Sequence, residues 1–305
     1  MLKRPQICLR RSEYTCPQGV PSLLAQVFAN STSLADVTKN LTWWIEPLKT
    51  TMKLFAENVS WLGKNEVKLV QEKITNMEVS LIFPNSFMEG KRTTKELKCD
   101  YKPNLFMEDP ITHFVKAMFS SAHASKSELK TGKAPLMLPV VSNFEFAASY
   151  NPEKNSLYVP MGLFGQILQA KREETKIFYV FKILPDVIRE MVRVFLKSSF
   201  LSGNKTSWTN DTAAKYSDVE KCMFHFYAKI LSDVNFEVAQ QAMEGILEPL
   251  LSEVAMIAPL QQMYEVIKSK ISKTDPGLWE RGFGRYRQLH LFYFFLIESQ
   301  CESSA

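Results

Sequence analysis

Leu184-Pro185-Asp186-Val187-Ile188-Arg189-Glu190-Met191-Val192-Arg193-Val194-Phe195-Leu196-Lys197 is the stretch on which the reading of this chain turns. Leu184, Val187, Ile188, Met191, Val192 and Phe195 recur at three- and four-residue intervals, which puts them on one face of an α-helix. Asp186, Arg189, Glu190, Arg193 and Lys197 fall on the opposite face at i, i+3, i+4, i+7 and i+11. Asp186–Arg189 and Glu190–Arg193 are spaced for intrahelical ion pairs, each worth about 0.2–0.5 kcal/mol on an exposed helix. Pro185 suits the first turn, where its missing N–H has no intrahelical partner to lose. An amphipathic helix is predicted, with Arg-Glu-Met-Val-Arg along its polar side.

Upstream, residues 136–164 change character. Met137-Leu138-Pro139-Val140-Val141 and Ser156-Leu157-Tyr158-Val159-Pro160 are short β-like runs, and Asn151-Pro152-Glu153-Lys154-Asn155 before the second is turn chemistry. Residues 22–80 read as long helices: Leu48, Met52, Leu54 and Phe55 repeat near helical spacing, as do Val67, Val70, Ile74 and Met77. Residues 1–20 and 84–110 are polar, proline-bearing and loop-like, and a helix is expected over 111–120. From Phe178 the chain reads as three or four long helices. The predicted class is mostly α with one small sheet, α+β, without internal repeats or low-complexity tracts.

The bulk numbers exclude several functions. With 305 residues, 46% apolar and 23% charged, the chain has ordinary globular composition and material for a large core. A net charge of +5, with Lys and Arg interleaved among Asp and Glu, gives no basic block for nucleic acid. No run reaches the roughly 18 apolar residues of a membrane span. Leu289 to Ile297 is too short and contains His290. Met1-Leu2-Lys3-Arg4-Pro5-Gln6 has no apolar signal core.

Other features point to the secretory pathway. Sequons begin at Asn30, Asn40, Asn58, Asn204 and Asn210, more than chance supplies, and suit a glycosylated surface. The cysteines Cys8, Cys16, Cys99, Cys222 and Cys301 are odd in number, so at least one lacks an internal partner. Cys222 and His225 form a lone C-x-x-H, better read as a buried or disulfide-bonded cysteine beside a core histidine than as a metal site. His113, His123, His225 and His290 each read as surface or core residues.

Four stretches carry a resemblance. Trp61-Leu62-Gly63 with Val67, Val70, Lys73 and Ile74, then Ile82-Phe83-Pro84, is the first. Tyr150-Asn151-Pro152-Glu153-Lys154-Asn155-Ser156-Leu157-Tyr158-Val159-Pro160-Met161-Gly162-Leu163 is the second and most specific. Glu220-Lys221-Cys222-Met223 after Trp208 is the third. Leu291-Phe292-Tyr293-Phe294-Phe295 before Cys301 is the fourth. In order and spacing, across residues 10–301, they resemble the neprilysin and endothelin-converting-enzyme family of zinc endopeptidases. The resemblance implies a thermolysin-like zincin lobe over 86–305, C-terminally truncated, preceded over 1–85 by a helical remnant of the family's α-lobe.

It also implies where a site would be. Active members of that family carry His-Glu-x-x-His on a helix, both histidines holding zinc and the glutamate activating water. The register here gives Arg189, Glu190 and Arg193, so only the general-base position is retained. The family's third ligand falls on Glu237, while the aspartate that would orient a histidine has become Gln241. The asparagine-alanine pair that grips the peptide backbone corresponds to Ala147-Ala148. The family's tail beyond the last cysteine, with its transition-state histidine and substrate-binding arginine, would lie past Ala305. Partners for Cys16, Cys222 and Cys301 would likewise lie in regions outside this sequence.

Two arginines and one carboxylate cannot make a catalytic zinc site, because arginine is always protonated and has no lone pair for a metal. The expectation is a catalytically inactive, secreted or ectodomain relative without zinc, binding peptide or protein in a remnant cleft. The alternative is an active zinc endopeptidase cleaving small peptides through Glu190, Glu237 and a further ligand. A third is a fragment unable to fold alone.

Overall fold

The apolar stripe over 184–195 is buried throughout: Leu184, Val187, Ile188, Met191, Val192 and Phe195 are all fully enclosed. A computed structural model describes residues 42–82, 147–164, 173–201, 208–230 and 247–274. Among them the order is α1 (Ile45–Ala56), α2 (Lys64–Thr75), β1 (Glu78–Ile82), β2 (Ser149–Asn151), β3 (Ser156–Pro160), α3 (Glu173–Val192), a 3-10 turn (Arg193–Phe195), α4 (Lys197–Leu201), α5 (Asn210–Ile230) and α6 (Ile257–Thr274). Residues 161–164 and 247–255 add helical turns. The strands form a sheet in the order β1-β3-β2. The class is α+β, mostly helical with a small sheet, as the sequence predicts.

Three local expectations need correction. The helical reading of 22–80 fails at its end, where Glu78–Ile82 is a strand because pairing with β3 outweighs the local period. Leu54 is exposed and Val67 half-buried, so the inward face of α1 and α2 is narrower than the apolar pattern. Pro185 lies well inside α3, not in its first turn. The helix begins at Glu173 and tolerates a residue that gives no N–H to the ladder, because its apolar face is held by packing. The strands expected at 137–141 and the helix at 111–120 lie outside the described residues.

The chain divides into two compact units. One comprises Met1–Leu41, Ser80–Ala147 and Tyr158–Leu163; the other comprises Thr42–Val79, Ala148–Leu157 and Phe164–Ala305. In the first, Leu81, Tyr158 and Val159 are buried. The boundary expected between 85 and 86 lies outside the described residues.

The second unit holds most of the described core. α1 buries Ile45, Leu48, Thr51, Met52 and Ala56, a helical spacing that packs it against α2 and α6. The Thr51 hydroxyl meets Met263 Sδ at 3.9 Å inside that contact. Phe181 on α3 stacks at a tilt on Tyr264 of α6, with centroids 4.8 Å apart. At the lower end of α3, Trp61 Nε1 donates to the Phe195 carbonyl at 3.2 Å, and Phe55 meets the Phe195 ring edge-on at 5.5 Å. Lys49 closes α2 by donating to Met77 O at 2.8 Å and Thr75 O at 3.4 Å, where a helix end favours a cation. Among the described residues, no helix is long and apolar enough to cross a membrane.

Candidate functional site

The strand-turn-strand over 149–160 positions one side of the candidate site. Asn151 Oδ1 accepts the Glu153 and Lys154 N–H groups at 3.0 and 3.2 Å, a side-chain turn that reverses the chain. Asn155 takes the left-handed conformation at φ 50°, which asparagine tolerates better than most residues. Its side chain donates to Lys73 O at 2.7 Å and accepts the Tyr150 hydroxyl at 3.1 Å, tying the turn to the end of α2. Burial pushes the Tyr150 phenol up to about 12, against the opposite pull of Arg193, so it stays protonated as a donor.

That arrangement aims the Tyr150 N–H at α3. Glu190 Oε2 accepts it at 2.9 Å, and the same oxygen receives Arg193 at 3.0 Å. Arg193 belongs to the 3-10 turn that follows α3. Arg189 points elsewhere: it donates to Asp186, one turn back, and to Glu253 Oε1 at 2.8 Å. Burial would lower the Arg189 guanidinium, but Asp186, Glu253 and Glu190 together outweigh it and hold it above its ordinary value. Arg189 is well enclosed, its side chain 16% exposed, whereas that of Arg193 is 43% exposed.

Both i, i+3 pairs that the sequence spacing allows are therefore made. Two partners were not foreseeable from the helix itself. Glu253 lies 64 residues beyond Arg189, and no local period links them. Tyr150 acts through its main chain, so its residue type gives no signal. Of the positions matched to peptide gripping, Ala147 is exposed and Ala148 is buried. Glu237 lies outside the described residues, as do the sequons at Asn30, Asn40 and Asn204. Asn58 and Asn210 are both exposed.

The Cys222–His225 pair departs from the burial expected of it. Both residues are exposed, Cys222 carries a free thiol, and His225 Nδ1 lies 2.7 Å from Lys221 O one turn back. Among the described residues, neither is part of a core.

Zinc sites in proteins use thiolate, imidazole or carboxylate donors, about three of them in a catalytic centre. The described residues at the matched positions are one carboxylate with its Oε2 already hydrogen-bonded twice, and two guanidiniums that only donate. Among the described residues, this set does not fit a zinc ion.

No family model matches the chain, and no curated protein matches it. Solved structures do. One is a Haemonchus galactose-containing glycoprotein complex, with a TM-score of 0.62 and 16% identity over 93% of this chain and 44% of that one. Another is PEPO from Lactobacillus rhamnosis HN001, with a TM-score of 0.52 and 14% identity over 81% of this chain and 39% of that one. The chain thus spans less than half the length of either solved chain. At these identities the likeness is one of fold, and the fold it supports is neprilysin-like.

Proposed function

We propose that this chain is a catalytically silent, zinc-free relative of the neprilysin-like peptidases, acting outside the cell by binding a peptide or protein. The observation that carries this reading is the state of Glu190. A general base must offer its carboxylate to a water molecule. Here Glu190 Oε2 holds the Tyr150 N–H and Arg193, at 2.9 and 3.0 Å. Arg189, at a position matched to a zinc ligand, is fixed between two carboxylates and has nothing to give a metal. The five sequons, with Asn58 and Asn210 both exposed among the described residues, support an extracellular, glycosylated protein.

The test is elemental analysis of protein made through an oxidising secretory route and purified without chelator, paired with a peptide-hydrolysis assay. No stoichiometric zinc and no chelator-sensitive hydrolysis are expected from a cooperatively folded chain. One zinc per chain, lost with activity on chelation, returns the zinc endopeptidase reading.

A further inference from the structure

Two sequons fall on described residues, and their hydroxyls have opposite fates. In Asn58-Val59-Ser60 both Asn58 and Ser60 are exposed. In Asn210-Asp211-Thr212, Asn210 is exposed but Thr212 is 0% exposed. Thr212 Oγ1 accepts the Gly63 N–H at 3.2 Å and lies 3.1 Å from Thr209 Oγ1. Thr209 caps α5: its Oγ1 takes the Thr212 N–H at 3.3 Å, and its N–H and hydroxyl both donate to Glu66 Oε1, at 3.1 and 2.7 Å. Glu66, in the first turn of α2, is 4% exposed.

The network therefore fastens the start of α5 to the start of α2. Space at its centre is tight, since a Cβ on Gly63 would sit 2.5 Å from Glu66 Oε2 and 3.3 Å from Thr212 Oγ1. The transferase that modifies asparagine reads the hydroxyl two residues onward as part of its acceptor. In the folded chain that hydroxyl is sealed inside the contact between helices.

We infer that Asn210 is a glycan acceptor only until α5 docks on α2, so that occupancy at this site is decided by a race between the transferase and folding. This rests on the extracellular reading given above. The docking partner is synthesised first, Gly63 lying 149 residues before Thr212, so it is ready when the sequon emerges. A glycan attached in time is compatible with the fold, because the Asn210 side chain stays at the surface.

The test compares site occupancy, by peptide mass spectrometry, in two preparations of the full chain. One is translated into microsomes; the other is folded first and then given purified oligosaccharyltransferase with lipid-linked donor. Asn210 is expected to be modified in nascent chains and not in folded ones. Folded Gly63→Ala, or Glu66→Gln if that variant does not fold, leaves the sequon intact but loosens the contact, and is expected to regain modification at Asn210. Equal modification of folded and nascent wild type overturns the inference. So does a folded, loosened variant that remains unmodified, or modification of Asn58 alone in nascent chains. Failure of both sites in microsomes instead removes the glycoprotein reading beneath it.

Discussion

Replacing Arg189 by methionine keeps an unbranched apolar stem and removes the guanidinium with its charge, leaving Asp186 and Glu253 without their shared partner. Side-chain exposure is 16% for Arg189, 14% for Asp186 and 29% for Glu253, so solvent replaces the lost contacts poorly. Breaking one side of a buried pair costs about 3–5 kcal/mol. An exposed pair is worth about 0–1 kcal/mol. The Arg189 group sits between these limits and nearer the first, which gives a loss of about 2–3 kcal/mol. Arg193→Met is the control on the same helix edge. Its side chain is 43% exposed and its pair with Glu190 is local, so about 0.5 kcal/mol is expected. Equilibrium urea unfolding, at an m-value of about 3 kcal/mol per M, would show a midpoint shift near 1 M for Arg189→Met and about 0.2 M for Arg193→Met. Adding Glu253→Gln to Arg189→Met should cost less than the sum of the two singles, since each removes the same contact. Equal shifts for the two arginines, or a loss below about 0.5 kcal/mol at Arg189, would refute the claim that enclosure sets the value of this pair.

Other positions can be tested in the same unfolding assay. Burial would raise the Glu66 carboxyl, but bonds from Thr209 and Thr212 hold it below its ordinary value. Its contribution is therefore complete above the unfolded carboxylate pKa of about 4.3 and is lost as pH falls through the lower folded value. The stability gap between wild type and Glu66→Gln should shrink on acidification through that window, and a gap independent of pH would contradict it. Glu220 has the opposite sign: burial, and Glu248 against the relief from Lys197, raise its pKa. Glu220→Gln should therefore be more stable than wild type at neutral pH and lose that advantage below the unfolded pKa. Asn155→Gly retains the left-handed turn but loses the bonds to Lys73 O and Tyr150, and a cost of about 1–3 kcal/mol is expected. Trp61→Phe leaves the Phe195 carbonyl unpaired, for about 1–3 kcal/mol, read as a lowered urea midpoint.

Much of the helix and the hairpin could be read from sequence, for local reasons. The stripe over 184–195 repeats at the helical period and all its apolar members are buried. The second β-run and its Asn-Pro turn fall on β3 and the reversal before it. Local signals fail where a distant partner decides. Glu78–Ile82 takes its conformation from β3, and Pro185 is tolerated inside α3 because packing holds that helix. The candidate site divides in the same way. Spacing along α3 anticipates Asp186–Arg189 and Glu190–Arg193, while Glu253 and the Tyr150 N–H come from elements brought in by the fold. The exposure of Cys222 and His225 follows from which side of α5 is covered, and residue types on that helix do not specify it.

The bond from Tyr150 to Glu190 is made by main chain on one side and side chain on the other, and this makes its response to mutation lopsided. Almost any residue at position 150 still offers an N–H to the carboxylate. Only proline would withdraw it. At position 190, by contrast, only glutamine would keep an acceptor oxygen at the same reach, and any other replacement ends the contact. Sequence drift at position 150 thus leaves Glu190 as engaged as before. Freeing that oxygen would take both the loss of Arg193 and a shift of the backbone of β2, a combination that single substitutions on the strand do not supply.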